Sequence, residues 1–244
     1  MASYATDEFN GISDPNRQRV DAVNNGDDNS TGSNDSNNNN NNNNNASNNS
    51  ITKTVIDSNV VTKLKEKYKK EFKYGTPLVC ACEKGRSEDV KLLITGYNDV
   101  NDSNGNNNNN MTLKEYVNQV GEDSGGYKRT PLMTAARNEH FHIVKYLIEQ
   151  GEADPNIANS YGRNALHYAA WFNSTNIELI ELLLTLNNIN REDGEMATPL
   201  DRAYSNDSPL RQEIIALIRS KGGKANYYDE NGRHVGEGNG DLND

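Results

Sequence analysis

The sequence predicts an all-α solenoid of stacked helix pairs joined by hairpin loops, behind a disordered Asn-rich N-terminus. Three observations predict it. A seven-residue motif recurs four times after residue 74, a short apolar segment follows each copy, and the long polar runs lie outside the copies. One helix pair cannot cover its own apolar face, whereas several stacked together make a continuous core.

The motif first reads Thr76-Pro77-Leu78-Val79-Cys80-Ala81-Cys82 and returns as Thr130-Pro131-Leu132-Met133-Thr134-Ala135-Ala136. It recurs as Asn164-Ala165-Leu166-His167-Tyr168-Ala169-Ala170 and Thr198-Pro199-Leu200-Asp201-Arg202-Ala203-Tyr204, at spacings of 54, 34 and 34. The first spacing is a period of about 33 plus an insertion of about 21. Thr suits an N-cap and Pro the first helical position, where no backbone bond is lost. Small residues such as Ala135 and Ala136 allow neighbouring helices to approach. The second halves, Val90 to Ile94, Ile143 to Ile148, Leu179 to Leu184 and Ile214 to Ile218, are short apolar helices. Gly151 and Gly222-Gly223 close two of them, as helix C-termini prefer.

These residues resemble the ankyrin repeat. Thr130-Pro131-Leu132, Ala135-Ala136 and His140-Phe141-His142-Ile143-Val144-Lys145-Tyr146-Leu147-Ile148 carry the closest likeness. It covers 74–226 as four repeats (about 74–102, 127–159, 161–193 and 195–226) interrupted by an insertion at 103–126. Residues 227–244 read as the hairpin of an incomplete repeat and a flexible tail. The family's inter-helix glycine is kept as Gly85 but replaced by Glu139 and Asn173; Asn tolerates a left-handed backbone better than Glu does. Ser174-Thr175 lengthens the third inter-helix turn. Arg219 stands where the family has an apolar residue and suits a terminal repeat facing water.

Before the repeats, Val61, Leu64, Tyr68 and Phe72 recur at helical spacing, which makes 51–73 an amphipathic capping helix. Its lysines read as a solvated face, ahead of a nuclear-import or acidic-lipid patch, because Glu66 and Glu71 interrupt them. In the insertion, Leu113, Val117 and Val120 share one helical face. An extra helix packed beside the first two repeats is the favoured reading, and a partner-contacting finger the alternative.

Composition sets the limits. The 244 residues are 33% hydrophobic and include 41 asparagines, concentrated at 37–45 and 106–110. Such runs, and residues 1–50 as a whole, cannot build a core. No apolar run reaches the roughly 18 residues that would span a membrane. Met1 to Glu8 lacks the segments of a signal peptide, and two cysteines make no disulfide framework. The expected setting is intracellular, cytoplasm or nucleus. A net charge of −10 disfavours nucleic acid as a ligand.

No catalytic, cofactor-binding or metal-binding residue is assigned. Cys80 and Cys82 point to different helix faces, and Cys82 reads as a buried structural thiol. His140 holds the family's usual histidine position and His142 is expected at the surface; without further ligands they make no zinc site. His167 is expected to brace a turn, and His234 has no evident partner. Gly236 to Gly240 lacks the strand and helix of a dinucleotide loop. Asp99 to Asn110 misplaces the glycine and lacks the glutamate of a calcium loop.

The resemblance implies binding through hairpin tips and the last exposed residues of each first helix: Glu83-Lys84, Arg137-Asn138, Trp171-Phe172 and Ser205-Asn206. On the best-matched hairpin the tip residues are Ser160, Tyr161 and Arg163. Trp171, Phe172, Tyr161, Arg163, Arg137, Asn138 and Ser160 are therefore the candidate partner-binding residues, with Trp, Tyr and Arg the types that dominate interface energetics. The alternative is that at least one of the two rings of Trp171-Phe172 is tucked inward. The function expected is a non-enzymatic, monomeric scaffold or adaptor binding a protein partner. A recognition or regulatory subunit of an enzyme complex, of ubiquitin-ligase or kinase type, is the alternative.

Overall fold

The computed structural model describes residues 58–71, 75–103, 111–186 and 188–235, all within one unit spanning 52–244. The expectations for residues 1–50, Phe72, the Asn106–Asn110 run and the tail beyond 235 fall outside these residues.

Each repeat motif opens a helix because its first residue caps it. Thr76, Thr130, Asn164 and Thr198 accept from the backbone N–H three residues on, at 3.3, 3.2, 3.2 and 3.3 Å. The first helices are α2 (Pro77–Glu83), α5 (Pro131–Arg137), α7 (Ala165–Phe172) and α9 (Pro199–Tyr204), three of them starting on proline. The second helices are α3 (Ser87–Ser103), α6 (Phe141–Glu149), α8 (Ile177–Leu184) and α10 (Arg211–Ser220). First helices stack on first helices and second on second, and one core runs through all four pairs from Leu78 to Ile218. This is the mostly helical repeat stack that the motif spacing predicts.

Helix α1 (Ser58–Glu71) lies against α2 and α3 and buries Val61, Leu64 and Tyr68. Its approach is close enough that a Cβ on Gly96 of α3 would collide with the Val61 side chain. The Tyr68 hydroxyl donates to Asp89 Oδ2 at 2.7 Å, fixing the register of α1 on α3.

The insertion holds α4 (Leu113–Val117), capped reciprocally by Thr112 and Glu115 and packed on α3. Val117 is fully buried and Tyr116 stacks on Tyr97 at 4.4 Å. The expected apolar face fails at Val120, which is 43% exposed: the helix stops at Val117, so helical periodicity no longer applies three residues later. Strands β1 (Gly121–Glu122) and β2 (Lys128–Arg129) follow as an antiparallel hairpin. The second repeat's hairpin thus begins inside the stretch read as insertion.

One turn recurs at the hairpins. The side-chain oxygens of Asp123, Asn159, Asp193 and Asp229 each accept from the amides two and four residues on, at 2.8 to 3.1 Å. The residue three on is left-handed in every case: Gly126, Gly162, Met196 and Gly232, with φ of 78, 75, 60 and 74°. Asparagines join neighbouring repeats on the far side of the loops. Asn118, Asn156 and Asn190 each donate to one backbone carbonyl and accept from one backbone N–H of the following repeat.

The departures from the family pattern resolve individually. Glu139 takes the left-handed glycine conformation at φ 61°, and its carboxylate accepts from the Ser174 and Thr175 hydroxyls of the lengthened turn. Asn173 does not replace glycine in kind; it is extended at φ −66°, buried, and bonded to both backbone groups of Asn176. Arg219 does not simply face water. It is half-buried, donates to the carbonyls of Asp229 and Glu230 at 2.7 Å, and lies over the Tyr204 ring, clamping the terminal hairpin.

Candidate partner-binding face

Helix α7 carries Trp171 and Phe172 on its last turn because Leu166, Ala169 and Ala170 take the core positions and are fully buried. Both rings are half-buried, so neither is wholly tucked inward. They stack on each other at 4.9 Å. Below Trp171 lie two guanidiniums, Arg163 at 5.1 Å and Arg202 at 4.8 Å. Arg137 lies over Phe172 at 4.7 Å. Cation–π contact and ring stacking pack the two half-buried aromatics against these guanidiniums.

The sequence placed Arg163 at an exposed hairpin tip, and the structure corrects this: its side chain is 3% exposed. Its Nε donates to Asp193 Oδ2 at 3.1 Å and its Nη2 to Glu195 Oε1 at 3.0 Å. Arg202 reaches the same two acids, with Nε 2.9 Å from Asp193 Oδ2 and Nη2 2.6 Å from Glu195 Oε2. Burial acts to raise the Asp193 pKa, but the bond and charge of Arg202, then Arg163, outweigh it and hold the carboxyl below its ordinary value. The arginines are therefore structural supports for the Trp171 ring. The signal for this was slight: Asp193 opens the same turn as Asp123 and Asp229, yet two acids and two arginines nearby allow several pairings.

Of the remaining candidates, Ser160 and Tyr161 are exposed at the hairpin tip, Tyr161 at 47%. Arg137 and Asn138 are half-buried at the end of α5. The fourth-repeat equivalent Asn206 is no surface residue; it is buried and its Nδ2 donates to the carbonyls of Ala170 and Asn173 at 3.0 and 2.9 Å. Glu83 binds the hairpin residue Ser124 through its backbone N–H at 3.0 Å.

The histidines serve the scaffold. His167 is buried, its Nδ1 2.7 Å from Asn164 Oδ1 and its Nε2 3.2 Å from Ala197 O, so it ties its own cap to the next hairpin. Burial pushes its pKa down to about 4, against the opposing pull of Asp193. His140 Nε2 lies 3.2 Å from Glu83 O, and His142 is exposed. His234 has partners the sequence did not disclose: it bridges Tyr228 and packs on the rings of Tyr227 and Tyr228. Cys80 and Cys82 are both fully buried, and burial raises the Cys80 thiol to about 12. Among the described residues no group of His, Cys, Asp and Glu is placed to hold a metal, and no helix is long and apolar enough to cross a membrane.

The stacked helix pairs define a repeat-built architecture. Residues 103–193 match the family model described as ankyrin repeats (3 copies), so this stretch of the chain is built of ankyrin repeats. Ankyrin repeats are in general non-enzymatic modules for protein interaction. Among curated proteins the chain is similar to palmitoyltransferase AKR1 of Lachancea kluyveri, 30% identical over 162 residues. The match covers 57% of this chain and 21% of that protein, so the chain spans about a fifth of the relative's length.

Proposed function

We propose that this chain is a non-enzymatic scaffold that binds a protein partner across the face bearing Trp171 and Phe172, with Tyr161 and Ser160 at its hairpin edge. The observation that carries the reading is the aromatic pair itself, half-exposed yet held from below by two ion-paired arginines. A large ring already immobilised loses little conformational freedom when a partner covers it, which makes it a favourable anchor. In this reading the protein acts as a monomer and needs no cofactor or nucleic acid.

The experiment compares the partners recovered by the immobilised full chain and by a Trp171→Ala/Phe172→Ala variant, with helicity checked by circular dichroism. Loss of the recovered proteins from a folded variant supports the face; an unchanged set removes it. A second reading, a recognition part within an enzyme complex, draws on the likeness to a protein named as a palmitoyltransferase. Enzymatic activity retained on the full-chain column and lost on the variant column would favour it.

A further inference from the structure

Resting on the binding face proposed above, we infer that its occupant is an acidic segment of a partner protein, anchored by a carboxylate on Arg137. The cations around the aromatic pair are not equivalent. Arg163 and Arg202 are matched by Asp193 and Glu195. Arg137 is matched by no carboxylate among the described residues. Among the described residues its one hydrogen bond is a long one, Nη1 to Asn138 Oδ1 at 3.5 Å, and its buried Nε meets no acceptor. The nearest acid in sequence, Glu139, is engaged by Ser174 and Thr175.

A guanidinium has five donors in a planar fork and prefers a bidentate anion. Here the guanidinium carbon lies 4.7 Å from the centre of the Phe172 ring, so the group is held beside the aromatic pair before anything binds. A half-buried cation with unmet donors, beside two apolar rings, is complementary to an acidic residue next to an apolar or aromatic one. The chain's net charge of −10 argues against gathering acidic partners at long range, so the attraction operates at contact. A basic segment would leave the Arg137 donors unmet and bring like charge to them.

The test selects a displayed random peptide library on the immobilised full chain, on Arg137→Gln and on Trp171→Ala/Phe172→Ala. Wild type is expected to enrich peptides with Asp or Glu beside an apolar residue. Their affinity should fall about tenfold or more when the acid becomes its amide, the scale of a charge-assisted bond. Arg137→Gln should bind acid and amide forms alike, while Arg137→Lys, which keeps the charge, should retain a preference for the acid and controls for folding. Enriched peptides without acids, no enrichment, or an acid preference that survives in Arg137→Gln would each overturn the inference. Amide-indifferent peptides that still need the rings would overturn it while leaving the binding face standing; peptides indifferent to the rings would remove the face itself.

Discussion

Neutralising Asp193 should be among the most damaging conservative changes available in this protein. Its side chain is 0% exposed and accepts from two guanidiniums whose side chains are 3% and 8% exposed. In Asp193→Asn, the Oδ1 acceptor for the Glu195 and Ala197 amides survives, so the turn is kept, but Oδ2 becomes an NH2 donor facing the two guanidiniums, which lose both the charge and their acceptor. Arg163 and Arg202 are then left with Glu195, whose carboxylate is 64% exposed and screened by water. Breaking a buried pair by removing one partner costs about 3–5 kcal/mol. At roughly 2–4 °C per kcal/mol for a domain of this size, the melting temperature should drop by about 6–20 °C. Glu195→Gln, at the exposed end of the same network, should cost no more than about 1 kcal/mol. Thermal and urea unfolding followed by circular dichroism measure both. Emission from Trp171, the chain's one tryptophan, reports the ring that the two arginines support. A loss below about 1 kcal/mol in Asp193→Asn, or an equal loss in Glu195→Gln, would refute the idea that one buried carboxylate organises the site.

Three further outcomes follow from the hairpins and their caps. His167 titrates near 4 when folded and near 6.5 when unfolded, so the unfolded chain binds the extra proton between those values. Stability should therefore decline as pH falls through that window, by at most about 1.4 kcal/mol per unit, and His167→Gln should flatten the decline between pH 7 and 5 in urea titrations; parallel curves would show that His167 does not contribute. Met196 holds a left-handed φ of 60° while 58% exposed, so Met196→Gly should gain about 0.5–1 kcal/mol by relieving strain that outweighs the added chain entropy. At the equivalent turn position Gly162→Ala places a Cβ 2.8 Å from the Gly194 nitrogen and should cost more than about 1 kcal/mol; the same denaturation midpoints decide both, and a shared sign would contradict the turn assignment.

Much of the fold was legible because its causes are local. Thr76, Thr130 and Thr198 cap helices through bonds spanning three residues, and Pro follows each of them. The core positions Leu132, Ala135, Ala136 and Ile143 repeat with the motif. Trp171 and Phe172 could be placed on the last turn of a first helix by counting from Asn164. Legibility ended where the backbone breaks from the repeat's local pattern, or where another repeat supplies a residue's environment. Val120 was assigned to a helix that ends at Val117, and Asn173 to a backbone conformation that its bonds to Asn176 replace.

The order of the repeats, their capped helix starts and the mostly helical stack were determined by the sequence itself, since period, cap and apolar spacing act within a few residues along the chain. Arg163 shows what only the tertiary structure decided. Its exposed-tip pattern is identical whether or not Asp193, 30 positions on, folds back beneath it. Burial of an arginine is favourable only when an anion is brought to it with correct geometry, and that meeting depends on how one repeat settles on the next.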